Sequence, residues 1–315
     1  MAIHKPAALS SGITESIAWK RGPDIPLPRG GYYAAWHQGG LLLAGGTYWK
    51  DKKKIWTDRV SFYDPRRGHW EEWAPLPRPL AYGVMALAAG RLYLIGGIDE
   101  KVLHHDIYRL EGQKWRRIGE APAGVIYSSA VSVDSRIYVM GGGTNNNDLT
   151  TVTNQAWLYD PKNGRWTKLP AVPGPPRLVH AAAAIDKQIF VFGGLTQKAG
   201  EPYRNLNDAH RFDTGTRKWI TIKSLPEAAR ALWAASAGDY IYLFGGMGNK
   251  ELDTVYRYDQ TRDEYQLVSR MPVALMDTKF FFDSGIFYGA SGEDKAASRF
   301  SGLLIGRHEG GEPEE

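Results

Sequence analysis

Residues 241–246 read IYLFGG, a short apolar run that ends in two glycines, and this pattern decides the fold because it repeats. Four other copies have the same form: LLLAGG at 41–46, LYLIGG at 92–97, IYVMGG at 137–142 and IFVFGG at 189–194. A sixth run, GIFYGA at 285–290, places only Gly289 in the pattern. Self-similarity with a period of about 40 to 50 residues predicts an array of similar supersecondary units.

A second motif follows each glycine pair at a variable distance. It consists of two aromatic residues seven positions apart: Tyr63 and Trp70, Tyr108 and Trp115, Tyr159 and Trp166, Phe212 and Trp219, and Tyr258 and Tyr265. Polar segments such as DPRRGH and DPKNGR separate the two members, which predicts a hairpin with one aromatic residue on each strand. With a small-residue run such as HAAAAI before the apolar run, each unit is predicted to have four strands.

The double glycine and the spaced Tyr and Trp resemble the kelch repeat family over nearly the whole chain. Six kelch units imply an all-β, six-bladed β-propeller. We therefore expect a single domain over residues 1–315, with an ordered propeller at about 15–306 and an acidic tail at 307–315.

The sixth unit supplies three strands, predicted at about 276–283, 284–289 and 300–305, and then lacks a fourth. Near the N-terminus, ESIAWKRGPDIPLPRG looks like a fourth strand followed by the Pro-rich link that the other units also have. We therefore predict that Ile17 to Lys20 complete the last blade. Such closure removes the exposed sheet edges that invite aggregation.

Composition narrows the function. The chain has no cysteine, which excludes disulfides, thiolate zinc sites, iron–sulfur clusters and a cysteine nucleophile. Its formal charge of +5 is spread thinly, and we interpret the one dense cluster, KDKKK at 50–54, as a solvated loop. Nucleic-acid binding needs a longer basic stripe with interleaved aromatic residues, so we expect no such partner. No apolar run is long enough for a membrane span, so we expect no membrane association.

The first residues, MAIHKPAALSSGITES, contain no apolar run followed by a small-residue cleavage site. This favours a cytoplasmic protein, or a periplasmic or secreted one if the sequence is a mature form. We expect a monomer or a weak oligomer.

In propellers of this kind, the links from the fourth strand of one blade to the first strand of the next emerge around the central channel. The predicted links carry cations and aromatic residues, which we take as candidate substrate-binding residues: Arg29, Arg78, Tyr82, Arg177, His180, Arg230, Trp233 and Lys279. A basic, aromatic-lined mouth suits an anionic ligand. The alternative is that the arginines tie loops together through backbone carbonyls.

Metal binding has little support in the sequence. The adjacent His104 and His105 would point to opposite faces of a strand. Asp208 and His210 would share a strand face, but no third ligand is in view. We therefore predict no metal site.

The loop GASGEDKAASRF at 289–300 departs from the other units, since it lacks the second glycine and the aromatic pair. It places Glu293 and Arg299 six residues apart. Glu293 could move protons, while the bidentate guanidinium of Arg299 could hold a carboxylate. The alternative is a loop salt bridge, or two solvated charges.

The chain also resembles the sialic acid mutarotases, which are six-bladed kelch propellers with a Gly-Glu pair and an arginine six residues after the glutamate. Gly292, Glu293 and Arg299 fit that motif, and the segments GPPRLVHAAAAIDKQIFVFGG, NLNDAHRFD, LAYGV and NQAWLYDPKNGRWTKL look similar in a rotated order. The resemblance implies a cyclically permuted isomerase that interconverts the anomers of N-acetylneuraminate without metal or cofactor. It implies that Glu293 is the acid/base and that Arg299 holds the C1 carboxylate, while Tyr82 and Arg177 shape the sugar site.

Two alternatives stay open at this point. The chain could be a non-catalytic kelch module that binds an acidic peptide or protein partner, or a mutarotase-like enzyme for another sugar acid. A wide, flat mouth would favour a peptide, and a narrow pocket with Glu293 at its wall would favour a sugar acid.

Overall fold

The computed structural model describes residues 16–309, which form a six-bladed β-propeller. Each blade is a four-stranded antiparallel sheet, and one further hairpin lies outside the blades. A short 3-10 helix at Leu149–Thr151 interrupts the otherwise all-β structure. The predicted fold class is confirmed.

Strand β1 (Ser16–Gly22) comes before the first complete blade. The strands of blades 1 to 3 are β2 (Tyr33–His37), β3 (Gly40–Ala44), β6 (Val60–Asp64) and β7 (His69–Trp73); β8 (Val84–Ala88), β9 (Arg91–Ile98), β10 (Leu103–Glu111) and β11 (Lys114–Glu120); and β12 (Ser129–Val133), β13 (Arg136–Met140), β14 (Ala156–Asp160) and β15 (Arg165–Leu169). The extra hairpin in blade 1 pairs β4 (Thr47–Lys50) with β5 (Lys53–Trp56).

The remaining strands build blades 4 to 6. They are β16 (Ala181–Ile185), β17 (Gln188–Thr196), β18 (Arg204–Asp213) and β19 (Lys218–Ile222); β20 (Trp233–Ala237), β21 (Tyr240–Phe244), β22 (Thr254–Asp259) and β23 (Glu264–Arg270); and β24 (Lys279–Asp283), β25 (Ile286–Ala290) and β26 (Leu303–Glu309). Strand β1 is the fourth strand of blade 6, in the order β24-β25-β26-β1.

The closure by the N-terminal strand is therefore confirmed. The register of the closing pair runs from Ser16 opposite Glu309 to Gly22 opposite Leu303. Because β26 continues through Glu309, the ordered propeller extends past the predicted boundary at residue 306. The rest of the predicted acidic tail, 310–315, lies outside the described residues, so the single-domain assignment for the whole chain stays a prediction.

The spaced aromatic pairs lie on the third and fourth strands of their blades, as predicted. In four blades the two residues are directly opposite, for example Tyr159 and Trp166 with ring centroids 4.9 Å apart. Blade 2 differs: Trp115 is opposite Leu110, and Tyr108 is opposite Arg117. Its turn between Glu111 and Lys114 is two residues shorter than the Asp160–Arg165 turn, which shifts the register.

The core lies between the blades. Among the described residues, six clusters of buried apolar side chains fill the six interfaces between neighbouring blades, and the cluster between blades 6 and 1 includes Tyr32, Tyr63 and Leu303. Since burial of apolar surface is the main stabilising contribution, each blade depends on both neighbours. The residues of β1 are part of this packing, because Ile17 is buried against blade 5.

The second glycine of each pair ties one blade to the next link. Its N–H donates to a backbone carbonyl at 2.7–3.1 Å in every blade: Gly46 to Leu80, Gly97 to Val125, Gly142 to Arg177, Gly194 to Ala229, Gly246 to Leu275 and Gly292 to Arg29. A Cβ at this position would meet the link that enters the glycine's own blade, since one added at Gly194 would lie 2.9 Å from the Leu178 carbonyl oxygen. This close approach and the positive φ together favour glycine at the second position.

This pattern corrects the sequence alignment of the sixth unit. The glycine pair corresponds to Ser291 and Gly292, with φ of 63° and 98°, and not to Gly289. Gly289 lies inside β25 opposite Phe280, whose ring would lie 2.3 Å from an added Cβ. The second glycine is thus kept in blade 6, and only the first is replaced, by a serine in the left-handed region.

Candidate functional site

A ring of backbone hydrogen bonds surrounds the channel where each link enters its first strand. One residue per blade has a φ between 47° and 66°: Gly31, Tyr82, Tyr127, Val179, Ala231 and Asp277. Each N–H from Tyr82 onward donates to the carbonyl of the preceding member at 2.7–2.8 Å. At the seam, the Gly31 N–H donates instead to the Asp277 carboxylate. The ring holds the side chains of all six blades in fixed positions around one opening.

The opening contains a small cavity of about 70 Å³. Four of the predicted binding residues, Tyr82, His180, Trp233 and Lys279, line it. Tyr127 also lines it, with its ring 4.7 Å from that of Tyr82, and its hydroxyl donates to Asn146. Burial raises the pKa of Tyr127 above its usual range, so this hydroxyl stays protonated.

Two cavity residues, Lys279 and His180, are held by further contacts. Lys279 pairs with Asp277 at 3.0 Å and lies over the Tyr32 ring at 4.3 Å. His180 is within 2.6 Å of the Ser129 hydroxyl, and burial next to the charge of Arg177 lowers the pKa of His180 to about 3. The imidazole is therefore neutral over the ordinary pH range.

The other four predicted binding residues do not line the cavity. Arg29 and Arg177 are fully buried, so the prediction that they contact a ligand at the mouth is wrong. Arg29 donates to the Arg59 carbonyl at 2.8 Å, and burial lowers the pKa of Arg29 to about 10. These arginines take the alternative role of tying loops together through carbonyls.

Arg177 belongs to a buried network inside blade 4. Its guanidinium donates to both Asp208 carboxylate oxygens, at 2.6 and 3.2 Å, and to the Gly193 and Pro173 carbonyls. Burial alone would raise the pKa of Asp208, but hydrogen bonds from His210 and Arg177 outweigh it and hold that pKa at about 2. Asp208 and His210 do share a strand face, as predicted, and Arg177 joins them. Within residues 16–309, no group of three His, Asp or Glu side chains is placed to hold a metal ion.

The remaining two arginines lie on the surface outside the cavity. Arg78 is exposed and contacts His104 at 3.1 Å. Arg230 donates to Asn205 at 2.9 Å and lies over the Tyr203 ring at 5.1 Å. The mouth is consequently less basic than the sequence predicted.

Glu293 occupies a position that recurs in every blade. The residue after the glycine pair forms a backbone bridge with the link that precedes its own blade, and the six residues there are Thr47, Ile98, Gly143, Leu195, Met247 and Glu293. In blade 6 the partner is Met276, so Glu293 lies next to the ring residue Asp277. Five of these residues are uncharged, whereas blade 6 places the Glu293 carboxyl beside Asp277; Asp277 lines the cavity and Glu293 does not.

Glu293 and Arg299 form an ion pair at 3.0 Å, the arrangement that the alternative reading of the loop predicted. Arg299 also donates to the Thr47 carbonyl at 3.1 Å, to the Thr47 hydroxyl at 3.2 Å and to the Ser298 carbonyl at 2.9 Å. Its side chain is 5% exposed, against 22% for Glu293. Every guanidinium nitrogen of Arg299 therefore has a protein partner, while part of the Glu293 side chain remains exposed.

The surroundings of Glu293 raise its pKa. Burial is the largest cause and the nearby Asp277 charge adds to it, whereas Arg299 and Lys54 oppose it. The result is a carboxyl whose pKa is raised above its ordinary value, the direction expected for an acid/base group.

Lys54 comes from the KDKKK cluster, whose residues 50–53 are exposed at the tip of the β4–β5 hairpin, in line with the predicted solvated segment, whereas Lys54 is half-buried. Its ammonium lies 5.5 Å from the Trp49 ring and 5.9 Å from the Tyr82 ring. The hairpin thus brings a cation to the mouth. Sequence reasoning missed Lys54 and also Asp277, although aligning the six links would have placed Asp277 beside Tyr82 and Tyr127.

No helix among residues 16–309 is long and apolar enough to cross a membrane.

Comparison with known protein families gives a match to the family model described as KLHDC2/KLHL20/DRC7 Kelch-repeats domain, over residues 13–194 and 111–274. Beta-scruin of Limulus polyphemus is 25% identical over 265 residues, covering 80% of this chain and 29% of its own length.

Two further relatives are similar to this chain at the same level. Kelch-like protein 25 of Xenopus tropicalis is 26% identical over 272 residues, covering 82% of this chain and 44% of its own length. Kelch-like protein terF of Aspergillus terreus is 26% identical over 282 residues, covering 81% of this chain and 60% of its own length. The chain therefore spans less than two thirds of the length of each of these three relatives.

Among solved structures, that of YjhT has the same fold, with a TM-score of 0.77 at 13% identity, covering 91% of this chain and 99% of that one. Likeness at this identity concerns the fold alone. The family match, the sequence relatives and the six repeated units agree on one conclusion. The chain belongs to the kelch-repeat family.

Proposed function

We propose that this propeller is a cofactor-independent mutarotase that interconverts the α and β anomers of N-acetylneuraminate, with Glu293 as the acid and base. The observation that carries the proposal is the side chain at one repeated position. Where the other five blades have an uncharged residue, blade 6 has a partly exposed carboxyl with a raised pKa, next to a cavity in the channel. A carboxyl of this kind is a common proton carrier in enzymes.

Mutarotation requires one proton to move between two oxygens of the sugar. A base accepts the proton of the anomeric hydroxyl as C2 becomes a ketone, and the ring oxygen leaves C2 and takes a proton. Reclosure onto the other face of the ketone gives the second anomer. Glu293 accepts the first proton and returns it to the ring oxygen, directly or through a water. A raised pKa makes the carboxylate a stronger base for the first of these transfers.

The contacts of Arg299 give it a different role from the one that the resemblance implied. Its nitrogens are engaged by Glu293, Thr47 and Ser298, so we assign Arg299 to holding Glu293 in place. One oxygen of the Glu293 carboxyl, Oε1, faces Arg299. The sugar ring would stack on Tyr82 and Tyr127, which form the aromatic wall of the cavity.

Anomer exchange of N-acetylneuraminate tests the proposal directly. The α anomer is released from a glycoside by a sialidase, and its conversion to the β anomer is followed by NMR with and without the protein. We expect acceleration in proportion to protein concentration, and loss of it after heat denaturation. An exchange rate that equals the uncatalysed rate at every protein concentration would refute the mutarotase assignment for this sugar. The same assay with other sugar acids tests the related alternative substrate.

A second candidate is a non-catalytic kelch module that binds an acidic peptide or protein partner. The comparisons favour it at least as well, because the sequence relatives reported above are kelch-like proteins and a scruin. The burial of Arg29 and Arg177 speaks against an arginine-rich binding surface. This candidate predicts no stabilisation by sugar acids in a thermal-shift measurement, together with binding of an acidic peptide that raises Tm.

A further inference from the structure

The β4–β5 hairpin extends from blade 1 along the edge of the cavity, and one of its faces points at the site. Thr47 is opposite Trp56 and Trp49 is opposite Lys54, so these four side chains share a face. Thr47 contacts Arg299 at 3.2 Å and the Tyr82 hydroxyl at 3.3 Å, which fixes that face toward the mouth. Lys53 alternates to the other face of the hairpin and is exposed.

The cations around the mouth differ in how far their hydrogen-bond donors are already used by the protein. Arg299 is buried and fully engaged by the protein. Lys279 is paired with Asp277 at 3.0 Å. Lys54 has no carboxylate within 4.0 Å in the described part of the chain, and its ammonium lies over the ring faces of Trp49 and Tyr82. An ammonium has three donors, and a ring face satisfies none of them as an oxygen acceptor would.

We propose that Lys54 is the anion-binding residue of this site, and that its ligand therefore carries a carboxylate that contacts the Lys54 ammonium while the sugar ring lies against Tyr82. This inference rests on the proposed function and adds the source of its selectivity for acids. The charge of Lys54 acts on Glu293, so a carboxylate bound there would also lie near the proton-transferring group. Lys54 thereby takes the part that the sequence motif implied for Arg299.

The test is calorimetric titration with N-acetylneuraminate and with its neutral methyl ester. The wild-type protein is expected to bind the acid about tenfold or more tightly than the ester, because charge-assisted hydrogen bonds exceed neutral ones by that order. Lys54→Met should remove this preference and leave binding of the ester unchanged. Lys54→Arg should keep it, and Lys53→Met is the matched control, since it removes the same charge from the opposite face.

Equal binding of the acid by Lys54→Met and wild type would overturn the assignment of Lys54. So would an equal loss of affinity for acid and ester, which would indicate a general disturbance of the site. If the wild type still accelerates anomer exchange in these cases, the proposed function stands and the Lys54 assignment alone fails. If the wild type binds neither the acid nor the ester, both fail together.

Discussion

Blades 4 and 6 have the same backbone at the position of the glycine pair, and they differ in the side chain that follows it. Gly193 and Gly194 have φ of 56° and 108°, and Ser291 and Gly292 have 63° and 98°. The next residue is Leu195 in blade 4, 4% exposed, and Glu293 in blade 6, whose side chain is 22% exposed. The contacts between blades use backbone atoms, so the side chain after the glycines is free to change without loss of the fold.

The largest effect on folding is expected where that shared backbone is broken. Gly194→Ala and Gly292→Ala should each lower the free energy of unfolding by about 3 kcal/mol or more, because the added Cβ combines a left-handed φ with close approach to a carbonyl oxygen 2.9 Å away. Urea unfolding measures both. The matched control is Gly164→Ala, where φ is 70° but nothing lies within 4 Å of the added Cβ, and about 1 kcal/mol is expected. A large loss at Gly194 without one at Gly292 would show that the two blades are not equivalent.

Arg177, the buried arginine of blade 4, is expected to contribute to stability and not to ligand binding. Arg177→Met removes the partner of Asp208 and is expected to cost about 3 kcal/mol, since a buried charge is left without its counterion. Arg230→Met, at the surface link before blade 5, should cost no more than about 0.5 kcal/mol. Thermal or urea unfolding decides this. Equal costs would mean that Arg177 is not the structural residue that its contacts indicate.

His180 in blade 4 makes the free energy of unfolding depend on pH. Its folded pKa of about 3 lies below the ordinary value near 6.5, so only the unfolded chain takes up a proton between those values. Its contribution to stability is complete above about pH 6.5 and declines as the pH falls, by about 1.4 kcal/mol per pH unit. His180→Gln, which keeps a polar partner for Ser129, should flatten the slope of unfolding free energy between pH 6.5 and 4. An unchanged slope would contradict the neutral, buried imidazole.

Much of the fold could be predicted from the sequence because the repeat is local. The apolar runs, the glycine pairs and the Tyr and Trp spacing each follow from one strand or one hairpin, and the missing fourth strand of the last unit pointed to Ile17. Gly289 was misassigned because it also follows a short apolar run, so that in the sequence alone a glycine inside the strand resembles a member of the glycine pair. In the structure it lies opposite Phe280 within β25. The Tyr108 and Trp115 register depended on turn length, which the spacing alone does not show.

The site was only partly predictable, because its side chains meet across blades. The arginines near the links look alike in sequence, yet Arg177 is fully buried and Arg78 is exposed, depending on which carboxylates and carbonyls surround each one. The Glu293 and Arg299 pair was found from its motif, whereas the Thr47 contacts that engage Arg299 are 252 residues away. Lys54 was missed because its hairpin packs against the loop that carries Arg299, which comes from the other end of the chain.

Glu293→Gln is the most direct test of the claim that blade 6 keeps the repeat backbone and uses the next side chain for chemistry. The amide can still accept from Arg299 but cannot exchange a proton, so unfolding free energy should change by less than about 1 kcal/mol while anomer exchange falls by about a hundredfold or more. Glu251→Gln, in the equivalent loop of blade 5, is the control for the lost charge. The measurement is NMR exchange of N-acetylneuraminate anomers on folded protein. The predicted result is loss of catalysis in Glu293→Gln alone, and an unchanged exchange rate in that variant would contradict the claim.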